Sequence, residues 1–294
     1  MKFGRSQLHQ ATLKESFSVD GIGVHKGKDC SVTIKPANEN TGIVFVRSDK
    51  AGNGFKNEKI VACYKNVINA TMCTQISNEN KASLKTIEHV MAALYGTKIS
   101  NVIVEVQGEE IPILDGSSLR FVQLINEVGI QKQPSPRKIL KVLKKVRVTD
   151  GDKFEEIEPF DDFEINAKCD FEAKGLKTNP VIFNFSKNNF ASEIAPARTF
   201  GFISEVEYIK KHNLALGASL KNTVVYNDNG IPLNDEGLRF ENESAKHKVL
   251  DIIGDLALSQ YWIQGRMNCF CPSHKLNNIL LRMLFASTEN YEIL

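Results

Sequence analysis

The sequence lacks any apolar stretch that could cross a lipid bilayer. Its longest unbroken apolar run, Val90–Tyr95, contains six residues, whereas a transmembrane helix needs about 20. The first residues, MKFGRSQLHQATLKES, also lack the apolar segment of roughly 7–15 residues that follows the positive charge in a secretory signal. We therefore expect no integral membrane segment and no signal peptide.

A large net charge is also missing. The 37 lysines and arginines nearly balance the 35 aspartates and glutamates, and the formal charge is +2. This balance argues against nucleic acid or an anionic membrane as partner, because both need a sustained basic surface. The six cysteines are scattered and form no C-x-x-C pair. We expect a reduced, cytoplasmic protein without a disulfide scaffold.

Phosphate-binding motifs are missing as well. The segment Gly21–Gly27 is rich in glycine, but its last glycine comes one position too late for a dinucleotide-binding fingerprint, and a strand-like run follows it. No G-x-x-x-x-G-K-[ST] loop is present. Composition is otherwise that of a globular protein, with 42% hydrophobic and 24% charged residues.

The order of predicted elements favours an α+β fold. Strand-like runs are grouped before helices instead of alternating strictly with them. The polar segment Ile130–Lys138 contains two prolines and is interpreted as a linker. It divides the chain into predicted domains 1–133 and 134–294. Both halves contain two strand-like runs around a glycine turn, then a helix, a strand and a helix, which predicts a structural pseudo-repeat of two layered α/β sandwiches.

Histidine spacing narrows the possible metal chemistry. No two of the six histidines lie three to five residues apart, which excludes H-E-x-x-H and C2H2 zinc motifs. His247 and Asp251 lie four residues apart in a helical pattern and therefore share a face, which Asp255 extends. This stripe could bind a cation. The alternative is a solvated helix face with a salt bridge.

Glu88 and His89 form a second candidate pair. Thr86 is the predicted N-cap of their helix, and Glu88 in the first turn suits the helix dipole. Adjacent helical residues point about 100° apart, so one could contact a metal while the other reaches a water. A capped helix with an incidental histidine is the alternative interpretation.

His274 is the third candidate, in a predicted strand-to-helix loop. There it could act as a proton donor or be an ordinary surface histidine. Together His89, His247 and Asp251 make a set of two imidazoles and one carboxylate. Such a set suits a catalytic zinc that keeps one position open for water.

Seven collinear segments resemble the UDP-3-O-acyl-N-acetylglucosamine deacetylase family, zinc enzymes of lipid A synthesis in Gram-negative bacteria. The segments are TIEHVMAAL (86–94), PILDGSS (112–118), ARTFGF (197–202), LALGASLKN (214–222), GLRF (237–240), HKVLDIIGDL (247–256) and SHKLNN (273–278). The resemblance spans nearly the whole chain. It departs from the family pattern at Ser244–Lys246 and at Ser273, and neither departure touches an inferred ligand.

The resemblance implies one Zn²⁺ per chain, with iron as an alternative native metal, held by His89, His247 and Asp251. It implies that Glu88 is the general base. It further implies a UDP-3-O-acyl-GlcNAc substrate, from which the N-acetyl group is removed as acetate. A monomeric enzyme is expected.

Further roles follow from the same resemblance. His274 is implied to be the positively charged partner across the site, with Asp255 hydrogen-bonded to it. Thr199 is implied to donate its hydroxyl to the developing oxyanion. Lys248 is implied to contact the nucleotide diphosphate.

The implied fold has two similar α+β domains that face each other, with the metal at their junction. A βαβ insertion within about 198–229 of the second domain is implied to enclose the acyl chain. Its expected contact residues are Phe200, Phe202, Leu214, Leu216, Gly217 and Leu220.

Two rival functions remain open. One is a binding protein with a decayed metal site, which the complete ligand set and both proton-transfer candidates disfavour. The other is a different hydrolase or dehydratase, because the family is sometimes fused to a hydroxyacyl dehydratase. The last predicted helix ends just before Leu294, so we expect no such domain in this chain.

Overall fold

The computed structural model describes residues 9–50 and 59–294, and its fold class is α+β, as predicted. Residues 1–8 and 51–58, which belong to the predicted first domain, lie outside the described residues. No helix of the described ranges is long and apolar enough to cross a membrane.

The first part of the chain forms ten strands and two α-helices within the described residues. In chain order they are β1 (His9–Leu13), β2 (Phe17–Ile22), β3 (Asp29–Pro36), β4 (Ile43–Arg47), β5 (Lys59–Val61), β6 (Val67–Asn69), β7 (Gln75–Ser77), β8 (Ser83–Leu84), α1 (Glu88–Gly96), β9 (Val102–Gln107), α2 (Leu119–Val128) and β10 (Ile130–Pro136).

The remaining described elements begin at residue 139. They are β11 (Ile139–Val142), β12 (Val146–Asp150), β13 (Lys153–Glu158), β14 (Phe163–Lys168), β15 (Val181–Asn184), α3 (Phe190–Glu193), β16 (Phe200–Phe202), α4 (Val206–Lys211), β17 (Val224–Tyr226), α5 (Glu243–Leu256), β18 (Trp262–Phe270), α6 (His274–Leu284) and β19 (Tyr291–Ile293).

Two large sheets carry the helices. The first has the strand order β2-β3-β9-β4-β5. Its central strand β9 buries Val102, Val104 and Val106 on one face, which is the alternation expected of a sheet covered on one side. The second is built around β18, which pairs with β14 along one edge and with β11 and β13 along the other.

Helices α1 and α5 pack against each other between these sheets. Gly254 of α5 makes the contact close, because a Cβ built there would lie only 2.1 Å from the carbonyl oxygen of Glu88. The polar stripe of α5 is buried at this contact, with Asp251 4% and Asp255 3% exposed. The interpretation of the stripe as a solvated face is therefore wrong.

The predicted linker is also wrong in its conformation. Residues Ile130–Pro136 form β10, which pairs antiparallel with β1 in a two-stranded sheet. Prolines are compatible with this strand because it has a single neighbouring strand in the described structure, so an N–H on its other edge is not needed. The domain boundary near residue 134 and the duplication of the two halves remain predictions.

One local prediction also needs correction. Thr86 does not cap α1: its φ is 59°, in the left-handed region, and the helix begins at Glu88 after Ile87. An N-cap residue usually has extended backbone angles instead.

We predict that Gly254→Ala destabilises the protein although alanine favours helices. The added methyl group meets the backbone of α1, and overpacking of this kind costs about 1–3 kcal/mol. Denaturant unfolding measures the loss. Gly201→Ala is the matched control, since no heavy atom lies within 4 Å of its Cβ position. Equal stability of both variants would contradict the close contact.

Candidate active site

Three candidate metal ligands meet where α1 and α5 touch. His89 from α1 and His247 and Asp251 from α5 offer ligand atoms that all lie within 4.8 Å of one another. The Oδ1 atom of Asp251 is 3.4 Å from Nε2 of His247 and 3.9 Å from Nε2 of His89. All three side chains are buried. His89 and His247 lie 158 positions apart in the sequence, and the structure brings them together. Asp251 lies one helical turn after His247 in α5.

The ionisation of this trio suits a cation. Burial lowers the pKa of His89 to about 3, helped by the neighbouring His247, and burial also lowers the pKa of His247. Both imidazoles are therefore neutral at neutral pH. Burial alone would raise the pKa of Asp251, but the Lys248 ammonium and His247 outweigh it and hold that pKa well below its usual range.

Hydrogen bonding leaves the right atoms free to bind a metal. His247 donates Nδ1–H to the carbonyl oxygen of Ala197 at 2.9 Å, so its Nε2 keeps a lone pair. Asp251 Oδ1 is buried and has no hydrogen-bond partner among the described residues. Such an orphaned oxygen is costly unless a cation satisfies it.

The spacing fits a tetrahedral ion as well. Bonds of about 2.1 Å separate neighbouring tetrahedral ligand atoms by about 3.4 Å. The two separations measured from Asp251 Oδ1 are 3.4 and 3.9 Å. The residues present fit a bound metal ion.

Glu88 lies next to this trio as the first residue of α1. Its Oε2 accepts a hydrogen bond from the backbone N–H of Thr74 at 3.1 Å, and its Oε1 is 3.8 Å from Nε2 of His274. Burial raises the pKa of Glu88 to about 7, against the opposing effect of the His274 charge. A carboxyl group with this pKa can both accept and release a proton near neutral pH.

His274 faces Glu88 from the first position of α6, not from a loop as predicted. It donates Nδ1–H to Asp255 Oδ2 at 2.7 Å, and Asn277 donates to the same oxygen at 2.8 Å. Burial by itself would lower the pKa of His274, but Asp255, Asp251 and Glu88 together raise it to about 10. The ring is an imidazolium at neutral pH.

Thr74 links Glu88 to Asp255, the carboxylate partner of His274, and no sequence pattern identified it. Its hydroxyl donates to Asp255 Oδ1, while its N–H holds Glu88. Both contacts join segments that are distant in sequence or on different elements, so no periodicity or motif marks this threonine. Its place is set by tertiary packing alone.

Lys248 lies on the outer side of the trio. Its ammonium is 2.9 Å from Asp251 Oδ2 and 5.6 Å from the centre of the Phe200 ring. The side chain is 24% exposed, so its charge remains partly accessible. The ion pair with a candidate ligand was not predicted, and the diphosphate contact remains a prediction.

Thr199 and Phe200 come shortly after Ala197, whose carbonyl oxygen accepts the hydrogen bond from His247. Thr199 N–H donates to Gly116 O at 2.7 Å, and the Phe200 ring centre is 6.3 Å from that of His247. Arg198 anchors this segment to the start of α5 through two buried bonds to Glu243, at 2.8 and 3.1 Å. No pattern in the sequence revealed this ion pair.

A β-α-β unit follows within the predicted insertion. Strands β16 and β17 pair in parallel, with α4 between them. Phe200 and Phe202 lie in β16, 6.0 Å apart between ring centres, and both contact Tyr226 of β17 and Phe171. These aromatic residues form a small cluster next to the candidate ligands.

The other predicted contact residues lie in the loop between α4 and β17. Leu216 and Leu220 are 54% and 48% exposed, and Leu214 is half-buried. Gly217 N–H donates to Val24 O at 2.9 Å. The buried cluster around Phe202 does not include the three leucines among the described residues. The structure thus brings Phe200 next to His247, with Phe202 behind it in the aromatic cluster, and leaves Leu216 and Leu220 exposed.

A separate cavity of about 220 Å³ lies beside Tyr95, Arg137 and Trp262. Its lining residues include no histidine, cysteine, aspartate or glutamate. It therefore lacks the residue types that commonly bind metal ions, and the trio remains the candidate site.

Fold and site together define an α+β protein with a buried His-His-Asp group that could hold a metal ion, next to Glu88 and His274. The family model for UDP-3-O-acyl N-acetylglycosamine deacetylase matches residues 10–286. The chain belongs to this family, which confirms the resemblance found in the sequence.

Curated relatives agree across nearly the whole chain. A UDP-3-O-acyl-N-acetylglucosamine deacetylase of Psychrobacter sp. is 39% identical over 288 residues, which cover 97% of this chain and 95% of the relative. Proteins of the same name from Colwellia psychrerythraea and Shewanella halifaxensis are 42% and 41% identical, each covering 97% of this chain and 92% of the relative.

We predict that His247→Ala and Asp251→Ala each abolish stoichiometric metal binding while the fold persists. Each change removes one of three ligands, and the apolar layers of both sheets remain intact. Elemental analysis and circular dichroism measure the two effects. His212→Ala, at an exposed histidine, is the control and should keep its metal. Full metal content in either site variant would contradict the ligand assignment.

Proposed function

We propose that the protein is a zinc-dependent hydrolase that removes the N-acetyl group of UDP-3-O-(3-hydroxyacyl)-N-acetylglucosamine in lipid A biosynthesis. Water adds to the acetyl carbonyl, the amide C–N bond breaks, and acetate and the free amine leave. Family membership and the names of the relatives support the substrate. The observation that carries the proposal is the Glu88–His274 pair next to the His-His-Asp trio.

His89, His247 and Asp251 would hold the metal. When bound, Zn²⁺ supplies a Lewis acid that lowers the pKa of water to about 7 and polarises a carbonyl group. Two histidines and one carboxylate also suit Fe²⁺, so elemental analysis of the protein as isolated is the test of metal identity.

Glu88 acts as the general base. Its raised pKa of about 7 makes it a better proton acceptor than an ordinary carboxylate while leaving a fraction ionised at neutral pH. The backbone N–H of Thr74 holds its Oε2 at 3.1 Å, which leaves Oε1 directed toward His274 and able to take the proton of the attacking water.

His274 acts as the cation opposite the base. Asp255 orients its ring and stabilises the imidazolium, in the way that a carboxylate partner fixes the tautomer of a catalytic histidine. The ring can stabilise negative charge on the carbonyl oxygen and then protonate the leaving amine. Glu88 and His274 titrate as one coupled system, because the two groups interact across the site.

Substrate contacts complete the proposal. Thr199 donates its hydroxyl to the developing oxyanion, and Lys248 contacts the diphosphate with its partly exposed ammonium. The β-α-β unit receives the acyl chain, with Phe200 and Phe202 nearest the trio. Leu214, Leu216, Gly217 and Leu220 extend this contact along the following loop.

We further propose that the protein acts in the cytoplasm as a monomer. A nucleotide-sugar substrate is consistent with this location. Light scattering of the purified protein tests the oligomeric state, and fractionation of cells tests the location.

We predict a bell-shaped dependence of kcat/KM on pH. The rate should rise through the pKa of Glu88, about 7, because the base must lose its proton. It should fall as pH passes the pKa of His274, about 10, because the cation is lost there. Glu88→Gln should lower kcat by about 10²–10⁴-fold and keep its metal.

Three variants separate the limbs of this profile. Glu88→Gln should flatten mainly the acidic limb and His274→Gln mainly the basic limb. Asp255→Asn should weaken the basic limb less than His274→Gln, since it removes only the orienting partner. An unchanged basic limb in His274→Gln would assign that limb to another group and leave His274 a substrate-binding role.

We predict that Leu216→Ala and Leu220→Ala impair long-acyl substrates more than short ones. Burial against an acyl chain contributes about 0.8 kcal/mol per CH₂, so each truncation should raise KM for the long substrate by about 3- to 10-fold. Ile182→Ala, at a residue 66% exposed on another sheet, is the control. An equal rise for both chain lengths would locate the acyl contact elsewhere.

A further inference from the structure

Glu155 breaks the apolar pattern of the second sheet. In β13 its side chain is completely buried, on the same face as Ile157. Its neighbours in the row across the sheet are Val148 on β12, Cys269 on β18 and then Ala167 on β14, all apolar and buried. A carboxyl group in this row is unfavourable unless another interaction offsets its desolvation.

One carboxyl oxygen of Glu155 has a specific partner. Its Oε1 accepts a hydrogen bond from the backbone N–H of Ser273 at 3.0 Å. Its Oε2 is buried and has no hydrogen-bond partner among the described residues. The bond from Ser273 is therefore the one hydrogen bond that this side chain makes among the described residues.

Ser273 controls how the chain enters α6. It is the N-cap residue, and its hydroxyl accepts a hydrogen bond from Leu276 N–H at 3.3 Å. Its carbonyl accepts from the N–H of Asn277 at 2.9 Å, and the Asn277 side chain holds Asp255. The next residue along the chain is His274. A shift at Ser273 would thus move both His274 and the amide that orients its carboxylate partner.

Burial favours the neutral form of the Glu155 carboxyl group. Burial raises its pKa well above the usual range, and Asp255 adds to this effect, while the Ser273 N–H and His274 oppose it. A neutral carboxyl group can accept the Ser273 N–H without placing a second negative charge beside Asp255.

We propose that Glu155 is a positioning residue for His274: it fixes the N–H of Ser273 and thereby the place of the imidazole at the start of α6. The inference rests on the proposed function, because it predicts that a displaced His274 lowers kcat. Glu155 itself touches neither substrate nor metal ligand in this role.

Two substitutions isolate the hydrogen bond. Glu155→Gln keeps a neutral side chain of the same length with an acceptor oxygen, whereas Glu155→Met keeps the approximate volume and removes the acceptor. Ile157→Ala is the matched control, since it removes buried packing from the same face of the same strand and has no polar contact with Ser273. Metal content, kcat, KM and thermal stability are measured for all three.

We expect kcat of Glu155→Met to fall by about 10- to 100-fold, the usual effect of losing a group that orients a site residue. Its KM and metal content should stay at the wild-type level. Glu155→Gln should restore kcat. Ile157→Ala should lose stability without this loss of kcat, which separates positioning from a general weakening of the sheet.

Amide hydrogen exchange of the metal-free protein provides a readout that does not depend on activity. Exchange at Ser273 should accelerate in Glu155→Met and stay slow in Glu155→Gln. Unchanged exchange and wild-type kcat in Glu155→Met, or an equal loss of kcat in the Gln and Met variants, would overturn the inference. A metal-loaded wild-type chain that releases no acetate would contradict the proposed function instead, while the exchange data would still decide whether Glu155 holds Ser273.

Discussion

The close contact of α1 with α5 is the constraint on which the rest of the site depends. Gly254 permits it, because any side chain there would enter the backbone of α1 at Glu88. At this separation His89 comes within reach of Asp251, and Glu88 lies 3.8 Å from His274 of α6, which Asp255 of α5 holds. A wider spacing would leave both helices folded and the trio dispersed. The absence of a side chain at Gly254 therefore permits the helix contact at which His89, His247 and Asp251 meet.

The buried charges around this contact are almost completely compensated. Asp255 accepts hydrogen bonds from His274, Asn277 and Thr74, and the Lys248 ammonium neutralises Asp251 on one side. Asp251 Oδ1 is among the buried oxygens without a hydrogen-bond partner in the described residues, and it faces two neutral imidazoles. An unpaired buried carboxylate oxygen is costly, and its position between two neutral imidazoles makes this group a possible metal site. The same reasoning applied to Glu155, buried in an apolar row, leads to its role at Ser273.

Local patterns predicted the elements well and their environments less well. The strand-like runs and the helical periodicity of α1 and α5 were recognisable because side-chain period follows directly from backbone geometry. The polar stripe of α5 was open to two interpretations, since a sequence does not reveal what packs against a helix face. The prolines of Ile130–Pro136 indicated a linker, yet they form a strand because β1 is available to pair with a strand that has one free edge. Thr86 looked like a cap, but its left-handed backbone excludes that role.

By itself, the sequence determined the α+β class, the family and the identity of the candidate ligands, because each depends on residue types at particular positions in the chain. Only the tertiary structure decided that Thr74 bridges Glu88 to Asp255, that Arg198 anchors its segment to Glu243, and that Glu155 holds Ser273. The physical reason is distance along the chain. These hydrogen bonds join residues 14 to 181 positions apart, and such pairs leave no local periodicity, so they exist only once packing has brought the elements together.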